Sequence, residues 1–164
     1  MIWDAVVVGA GAAGLFCAGT LGQMGRRVLV LDHAKTIGEK IRISGGGRCN
    51  FTNRDSQPQN FLSLNQHFCR SALSRYSPQD FIDLVRRYKI GFHEKHRGQL
   101  FCNDASTQII EMLLAECGRG GVQIAYPVSV VQIRQSGSQW VIETSQGSQQ
   151  AHQLILATGG LPVP

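Results

Sequence analysis

The chain opens with a short β-branched run that leads into a glycine-rich turn, and this arrangement constrains the fold more than any other feature. The run Ile2–Val8 reads IWDAVVV, and GAGAAG follows it directly. A short, almost continuously apolar run is typical of a strand buried on both faces of a parallel sheet. A helix is expected from Gly11 to about Met24, and the next apolar run is Arg27–Leu31. Strand, tight turn, helix and strand within about 30 residues predict a βαβ unit.

Small residues recur every four positions in the predicted helix, at Gly14, Ala18 and Gly22. Positions four apart lie on the same side of a helix, so this side has almost no side-chain bulk and is expected to lie close to its neighbours. Gly25 is expected to end the helix.

The turn Gly9–Gly14 matches G-x-G-x-x-G, in which glycines let the main chain approach a pyrophosphate at the positive end of a helix. A purely structural glycine turn would also match, so the pattern alone is weak evidence. Here it follows a predicted strand, opens a predicted helix and precedes Asp32 at the end of the second strand. Asp32 is therefore placed to accept hydrogen bonds from the ribose hydroxyls of an adenosine. Its carboxylate would repel a 2′-phosphate, which disfavours NADP at this site.

A second glycine-rich stretch, SGGGRCNFTN at Ser44–Asn53, places three consecutive glycines before an arginine, a cysteine and an asparagine. Three glycines are entropically costly to order and add no side chain to a core. Two interpretations stay open. The main chain passes within contact distance of a flat or charged ligand, or the stretch is a flexible surface connector.

The remaining patterns predict an α/β fold with a mostly parallel sheet, helices on both faces and an antiparallel β-meander. Ser77, Pro78 and Asp80 predict a capped helix start. No internal repeat or composition break marks a second domain. The other expected elements are a loop with a short helix at 53–68, a hairpin at Phe92–Cys102, a helix from Asp104 or Ser106, a strand at Val122–Tyr126, meander strands at Val128–Arg134 and Trp140–Thr144, and a short buried strand at Leu154–Ala157.

Composition argues against several classes of partner. The net charge of +5 is moderate, no run of Lys or Arg exceeds two residues and only 7% of residues are aromatic, so no nucleic-acid partner is expected. Five cysteines without a C-x-x-C pair fit a reducing, cytoplasmic location. No apolar stretch approaches about 20 residues, so no membrane partner is expected.

No pattern indicates a metal centre or a catalytic group. His93 and His96 are three positions apart instead of four and no third ligand is near them in sequence, so no metal is expected. Glutathione-reductase-like enzymes carry the second cysteine of a redox disulfide five residues after the first. Five residues after Cys49 this sequence has Arg54, so no such disulfide is expected. A serine hydrolase is not indicated because no G-x-S-x-G elbow occurs. The sequence assigns no catalytic residue.

Several segments together resemble one family: GAGAAG at Gly9–Gly14, Asp32, IGEKIRISGGGRCNFTN at Ile37–Asn53 and LATGG at Leu156–Gly160. They are similar to the bacterial YhiN/BaiN-type flavoproteins, which are NAD(P)/FAD-dependent oxidoreductases with a glutathione-reductase-like FAD domain. The resemblance covers essentially the whole chain. It implies a Rossmann-like FAD-binding domain over residues 1–164, FAD as the cofactor and NAD(P)H as the candidate electron donor.

The resemblance also implies roles for individual residues. The glycines of the first turn would hold the FAD pyrophosphate, and Asp32 would bind the adenosine ribose. Lys40 and Ser44–Asn50 would run along the flavin half, Val128 would contact the adenine through its backbone, and Thr158 would belong to a turn that closes over the cofactor. The full expected set is Gly9, Gly11, Ala12, Ala13, Gly14, Asp32, His33, Lys40, Ser44, Gly45, Gly46, Gly47, Arg48, Cys49, Asn50, Val128, Ala157, Thr158 and Gly159.

Family members continue beyond the LATGG segment into a substrate domain, whereas this sequence ends at Pro164, so the resemblance implies a truncated FAD domain. The first expectation is an FAD-binding flavoprotein with NAD(P)H-dependent oxidoreductase chemistry on a small-molecule substrate that the residues do not identify. Two alternatives remain: a nucleotide-binding or interaction module without turnover, and an NAD-binding dehydrogenase domain. A sheet edge left uncovered by the missing segment would favour a homo-oligomer.

Overall fold

A computed structural model describes residues 1–160, and Leu161–Pro164 lie outside the described residues. The chain forms two compact units, Met1–Ile41 together with Ile110–Pro164, and Arg42–Ile109. A short 3₁₀ turn lies at Pro58–Asn60, and Ser44–Gly47 forms a tight turn that contains left-handed glycines. The elements in chain order are β1 (Ile2–Val8), α1 (Ala12–Gln23), β2 (Val28–Leu31), α2 (Glu39–Ile43), β3 (Asn50–Asn53), α3 (Arg70–Arg75), α4 (Pro78–Arg87), β4 (Phe92–Glu94), β5 (Gln99–Cys102), α5 (Thr107–Arg119), β6 (Gln123–Ala125), β7 (Val130–Ser136), β8 (Gln139–Thr144) and β9 (Gly147–Leu156).

The first unit is built on a six-stranded sheet with the order β6-β2-β1-β9-β8-β7. The strands β6, β2, β1 and β9 are mutually parallel, and β8 and β7 continue the sheet antiparallel. In the centre, Val6 pairs with Leu29 on one side and with Leu154 on the other. The mostly parallel sheet with an antiparallel meander is therefore confirmed, and so is the βαβ unit that begins it.

The last strand is longer than the sequence predicts. A short strand at Leu154–Ala157 is expected, but β9 spans Gly147–Leu156. Its first half pairs with β8 and its second half with β1, so one strand joins the meander to the parallel strands. The first half is missed from the sequence because it is polar, with residues such as Gln149 and Gln150. A strand segment outside the core does not need an apolar run. Strand β8 covers only Gly147–Ala151 of β9, so within residues 1–160 the second half of β9 has β1 on one side and no strand on the other.

The small residues of α1 bring this helix into contact with α5. A Cβ built on Gly22 would lie 2.6 Å from the carbonyl oxygen of Gly120 and 2.8 Å from a methyl group of Val122. A Cβ on Gly19 would lie 3.3 Å from the backbone nitrogen of Cys117. The expectation of a closely packed helix face is confirmed, because no larger side chain fits where the two helices meet.

A hydrophobic cluster joins the parallel strands to the meander. Its buried members are Trp3, Val6, Leu29, Leu31, Val128, Ile142 and Ala151. Burying a side chain such as Val6 or Ile142 stabilises the fold by roughly 1.5–3 kcal/mol. The sequence predicts helices on both faces of the sheet. In the first unit the two long helices contact each other, and the side chains that complete this cluster come from the meander, including Ile133 and Trp140.

The second unit has its own small sheet, with the strand order β3-β5-β4, all antiparallel. The predicted hairpin forms β4 and β5. Helix α4 begins as predicted: the Ser77 hydroxyl accepts a hydrogen bond from the Asp80 N–H, and the Asp80 carboxylate accepts one from the Ser77 N–H at 2.7 Å. Phe51 on β3 packs on Phe81 and Phe92, at 6.1 and 5.5 Å between ring centroids. None of the helices within residues 1–160 combines the length and hydropathy that a bilayer crossing needs.

We expect Gly22→Val to lower the free energy of unfolding by about 1–3 kcal/mol, because the added side chain would meet the Gly120 carbonyl and Val122 in the turn after α5. Gly118 in α5 has open space at its Cβ position, so Gly118→Ala is the matched control. This control should stabilise the chain by roughly 0.5–1 kcal/mol, since alanine restricts the unfolded chain more than glycine does. Urea unfolding followed by circular dichroism measures both changes, and equal values for the two variants would contradict this account of helix packing.

Candidate functional site

The outer glycines of the first turn are required by the fold. Gly9 has φ +112°, which favours glycine, and a Cβ there would collide with the carbonyl oxygen of Ala157. A Cβ on Gly14 would collide with the carbonyl oxygen of Gly9. The turn after β1 is therefore pressed between the start of α1 and the segment after β9, where the Ala157 N–H donates to the Val8 carbonyl at 2.8 Å.

Gly11 is different, because neither packing nor backbone geometry explains it. Its φ of −83° suits any residue, and no atom lies within 4 Å of its Cβ position. Gly11 is the N-cap of α1, which carries no acidic residue in its first turn, and the neighbouring Ala12 and Ala13 are exposed. A helix start with bare main chain facing open space is suited to an approaching phosphate, which the N–H groups and the helix dipole would stabilise.

The Asp32 carboxylate joins the glycine turn to the end of β2. One oxygen accepts the Ala10 N–H at 2.6 Å, and the other accepts the Ala34 N–H at 2.8 Å. The side chain is only 14% exposed, and Nδ1 of the exposed His33 lies 3.7 Å from it. Each carboxylate oxygen has two lone pairs, so Asp32 can hold the turn and still accept hydrogen bonds from a ligand's hydroxyl groups.

A cavity of about 360 Å³ lies at the carboxyl ends of the parallel strands. Five expected residues line it: Gly9, Asp32, His33, Val128 and Thr158. From β1 the chain runs to β2 and β6 on one side, whereas the later strand β9 lies on the other side, so the strand order reverses at β1, and ligands of open α/β sheets bind at such a point. A carboxylate, a bare glycine turn and apolar walls are the groups that a dinucleotide needs, so these residues fit FAD.

Some lining residues were missed from the sequence, and one expected contact is modified. Ser129 and Val130 also line the cavity, and the available signal was their position next to the expected residue Val128, between β6 and β7. Val128 is 3% exposed, and its N–H donates to the Asp32 carbonyl at 2.7 Å. A ligand contact through that N–H is therefore not available. Lys40 donates from Nζ to the Gly160 carbonyl at 2.6 Å, so it holds the segment after β9.

The expected flavin-side residues Ser44–Asn50 belong to the second unit. Three successive glycines have left-handed φ values: Gly45 +59°, Gly46 +66° and Gly47 +85°. Any other residue is strained there, and a Cβ on Gly45 would also lie 2.6 Å from the Phe101 ring. The three glycines therefore satisfy a backbone requirement, which the interpretation as a flexible connector does not explain.

Hydrogen bonds within the second unit fasten this turn on its carbonyl side. The Gly47 carbonyl accepts the Ser106 N–H at 2.8 Å, and the Arg48 carbonyl accepts the Cys102 N–H at 2.9 Å. Nη1 of Arg48 donates to the Asn103 carbonyl at 3.0 Å. The turn is consequently a shaped element on the small sheet, with Gly46 exposed and its Cβ position open.

Cys49 does not have the environment of a reactive thiol. It is buried, and burial raises its pKa, although a hydrogen bond with Ser44 opposes the shift. Burial, and then the neighbouring Cys49, raise the pKa of Cys102 to about 11. Both thiols therefore stay protonated near neutral pH, where only a thiolate is a good nucleophile. Among residues 1–160 no cluster of three or more His, Cys, Asp or Glu side chains is arranged to hold a metal ion.

Comparison with protein families identifies the fold. The family model described as HI0933-like protein Rossmann domain matches residues 3–164. The chain belongs to this family. This match shows a Rossmann-like FAD-binding fold and confirms the family resemblance stated from the motifs.

Two curated relatives and one solved structure illustrate the range of this fold. The "Ribosomal RNA dihydrouridine synthase" of Escherichia coli (strain K12) is 46% identical over 162 residues, which cover 99% of this chain and 40% of that protein. The "3-dehydro-bile acid delta(4,6)-reductase" of Clostridium scindens is 27% identical, with 94% and 38% covered. Glycine oxidase from Bacillus cereus ATCC 14579 shares the fold, with a TM-score of 0.65, 14% identity, and 96% and 55% covered. The chain thus spans about two fifths of the length of these curated relatives.

Substitutions at two glycines of the turn should separate folding from ligand approach. We expect Gly14→Ala to lower the free energy of unfolding by about 2 kcal/mol or more, because its methyl group meets the Gly9 carbonyl. Gly11→Ala should lower it by no more than about 1 kcal/mol, the cost of replacing an N-cap glycine by alanine. Thermal and urea unfolding of the two variants without ligand measures this difference. A large loss for Gly11→Ala would mean that the fold itself requires this glycine.

Proposed function

We propose that this chain is the FAD-binding part of a flavin-dependent reductase, and that its first unit holds the adenosine diphosphate half of FAD. The open Cβ position of Gly11, beside a carboxylate-lined cavity, carries this proposal. Close contacts of the main chain account for Gly9 and Gly14, whereas at Gly11 only the mild N-cap preference of α1 favours glycine, and Ser, Asp or Asn would serve the helix better. A ligand that needs bare main chain at the start of α1 supplies a further reason for glycine.

The residues around the cavity have separate tasks in this proposal. Asp32 accepts hydrogen bonds from the ribose hydroxyls, and its negative charge excludes a ribose that carries a 2′-phosphate. The diphosphate lies against Gly11, where the N-terminal N–H groups of α1 are directed at negative charge. Ser129 and Thr158 add hydroxyl groups to a cavity whose other walls include Val8 and Leu31.

The glycine turn of the second unit is assigned to the flavin half. Right-handed Ile43 precedes the left-handed glycines in this turn, and turns of this type present main-chain N–H groups as a concave surface for electron-rich oxygen atoms. Gly46 is the member of this turn whose side-chain position is open. The flavin, when bound, supplies hydride transfer, and we propose NADH or NADPH as the electron donor.

For the substrate, we propose a uridine of ribosomal RNA. The E. coli relative whose name states this activity is 46% identical across 99% of the chain, whereas the bile acid reductase is 27% identical. Both names describe a reduction, so the type of reaction is common to the two relatives. Composition alone argues against a nucleic-acid partner, and the more similar relative is the reason for proposing one. The activity of the whole protein is part of this proposal, because the chain covers 40% of that relative.

The FAD assignment predicts a yellow protein that keeps its colour. Purified protein incubated with excess FAD should retain a shifted flavin spectrum after gel filtration. Gly11→Leu should fold normally and bind FAD at least tenfold more weakly, because its side chain occupies the diphosphate path. Gly118→Ala is the control. Gly118 lies near the end of α5 and not at the start of α1, so this variant should retain FAD like the unmodified chain. A colourless unmodified protein would refute the assignment.

The reductase assignment is tested by measuring electron transfer from the nicotinamide to the bound flavin and from the flavin to RNA. Under anaerobic conditions NADH or NADPH should bleach the bound flavin, and ribosomal RNA lacking dihydrouridine should restore its colour while dihydrouridine appears in the RNA by mass spectrometry. Bleaching without dihydrouridine would mean that the substrate is a different one. Retained FAD that neither nicotinamide reduces would favour a binding module without turnover.

A further inference from the structure

The positive charge of this chain is concentrated in the second unit. Arg42–Ile109 contains ten of the sixteen Lys and Arg residues and five of the eleven Asp and Glu residues. The rest of the chain has six of each sign and is neutral. The whole net charge of +5 therefore belongs to the second unit. An average over the full chain conceals this, although a charged surface acts on its partners locally.

The basic side chains of the two units also differ in their partners. In the first unit, Arg27, Arg119 and Arg134 form ion pairs of 3.0–3.3 Å with acidic side chains. In the second unit, Arg54 and Arg86 also form ion pairs, whereas seven exposed basic residues have no carboxylate within ion-pair distance among residues 1–160. They are Arg48, Arg70, Arg75, Arg87, Lys89, Lys95 and Arg97. Their charge is available to a partner that carries negative charge.

A cavity of about 400 Å³ in the second unit has one of these charged residues, Arg70, in its wall. It is lined by Pro58, Gln59, Phe61, Leu62, Ser63, Gln66 and Arg70. One aromatic ring, two side-chain amides and a guanidinium group thus face one space. Unpaired RNA bases are bound by such groups, because rings stack on the base, amides hydrogen-bond its edge and arginine pairs with the phosphate.

The segment around the cavity is exposed, apolar in part and free of negative charge. Phe61 is 42% exposed and Phe68 is 63% exposed, while Leu62 is almost fully exposed. The stretch between Asp55 and Asp80 contains no acidic residue, but it contains the basic residues Arg70 and Arg75. A polyanion can therefore approach the exposed rings without meeting a carboxylate of this segment.

We propose that this cavity binds an unstacked nucleotide of single-stranded RNA, with the base against Phe61 and a phosphate at Arg70. The inference rests on the proposed reduction of ribosomal RNA and assigns the RNA contact to a place separate from the adenosine cavity. The absence of acid from Ser56 to Gln79, next to unpaired arginines, favours RNA over an apolar partner protein. Stacking on Phe61 makes the site selective for unpaired bases.

The test is fluorescence anisotropy with a labelled oligouridine of about twelve nucleotides, within the usual site size of single-strand binders. Phe61→Ala should raise the Kd about tenfold, as expected for loss of one stacked base. Arg70→Gln should lower the slope of log K against log salt by about 0.7, because one fewer counterion-releasing phosphate contact is made. Two exposed residues of the first unit provide matched controls, Val131→Ala and Arg26→Gln, which should change neither quantity.

Several outcomes would overturn the proposal. These are no binding to oligouridine, equal affinity for duplex RNA, or Phe61→Ala and Arg70→Gln variants that behave like their controls. A loss of self-association in Phe61→Ala by light scattering, with RNA affinity unchanged, would assign the cavity to a second copy of the chain. FAD retention by the same variants keeps the two proposals distinguishable, since the RNA site can fail while the flavin site stands.

Discussion

The Asp32 carboxylate is the interaction on which the dinucleotide cavity depends. Its two oxygens bind the N–H groups of Ala10 and Ala34, so one side chain holds the glycine turn and the end of β2 in a single arrangement. A carboxylate that is only 14% exposed requires such donors, because burying an unpaired charge is costly. The bonds that satisfy Asp32 also shape the cavity, so stability and ligand geometry arise from the same contacts.

The glycines illustrate how sequence motifs combine structural and functional demands. Gly9 and Gly14 are set by close contacts of the main chain, and Gly45 is set by a left-handed conformation beside Phe101. Gly11 has open space at its side-chain position and an ordinary φ, whereas Gly46 has open space together with a left-handed φ, so the fold also favours glycine there. Motif matching treats all of them alike, because it records only the residue type. The distinction between glycines required by the fold and glycines that leave room for a ligand needs coordinates.

Much of the fold was predictable because its signals are local. The apolar runs of β1 and β2, the capping residues Ser77 and Asp80, and the turn between β7 and β8 each act within a few residues. The errors lie where tertiary pairing decides. The polar first half of β9 is a strand because it pairs with β8. In the same way, β3 is a strand because it pairs with β5. Neither pairing leaves a pattern in its own segment.

The sequence by itself determined the βαβ unit at the start of the chain and the glycine turn with its acidic partner. It also showed that the spacings of a redox cysteine pair and of a metal site are missing. These features depend only on residue type and spacing. Only the tertiary structure decided that Asp32 binds the turn, that Val128 uses its N–H within the fold, and that the net charge belongs to one unit. Those properties depend on which distant segments meet, since hydrogen bonds and electrostatic forces act through space and not along the chain.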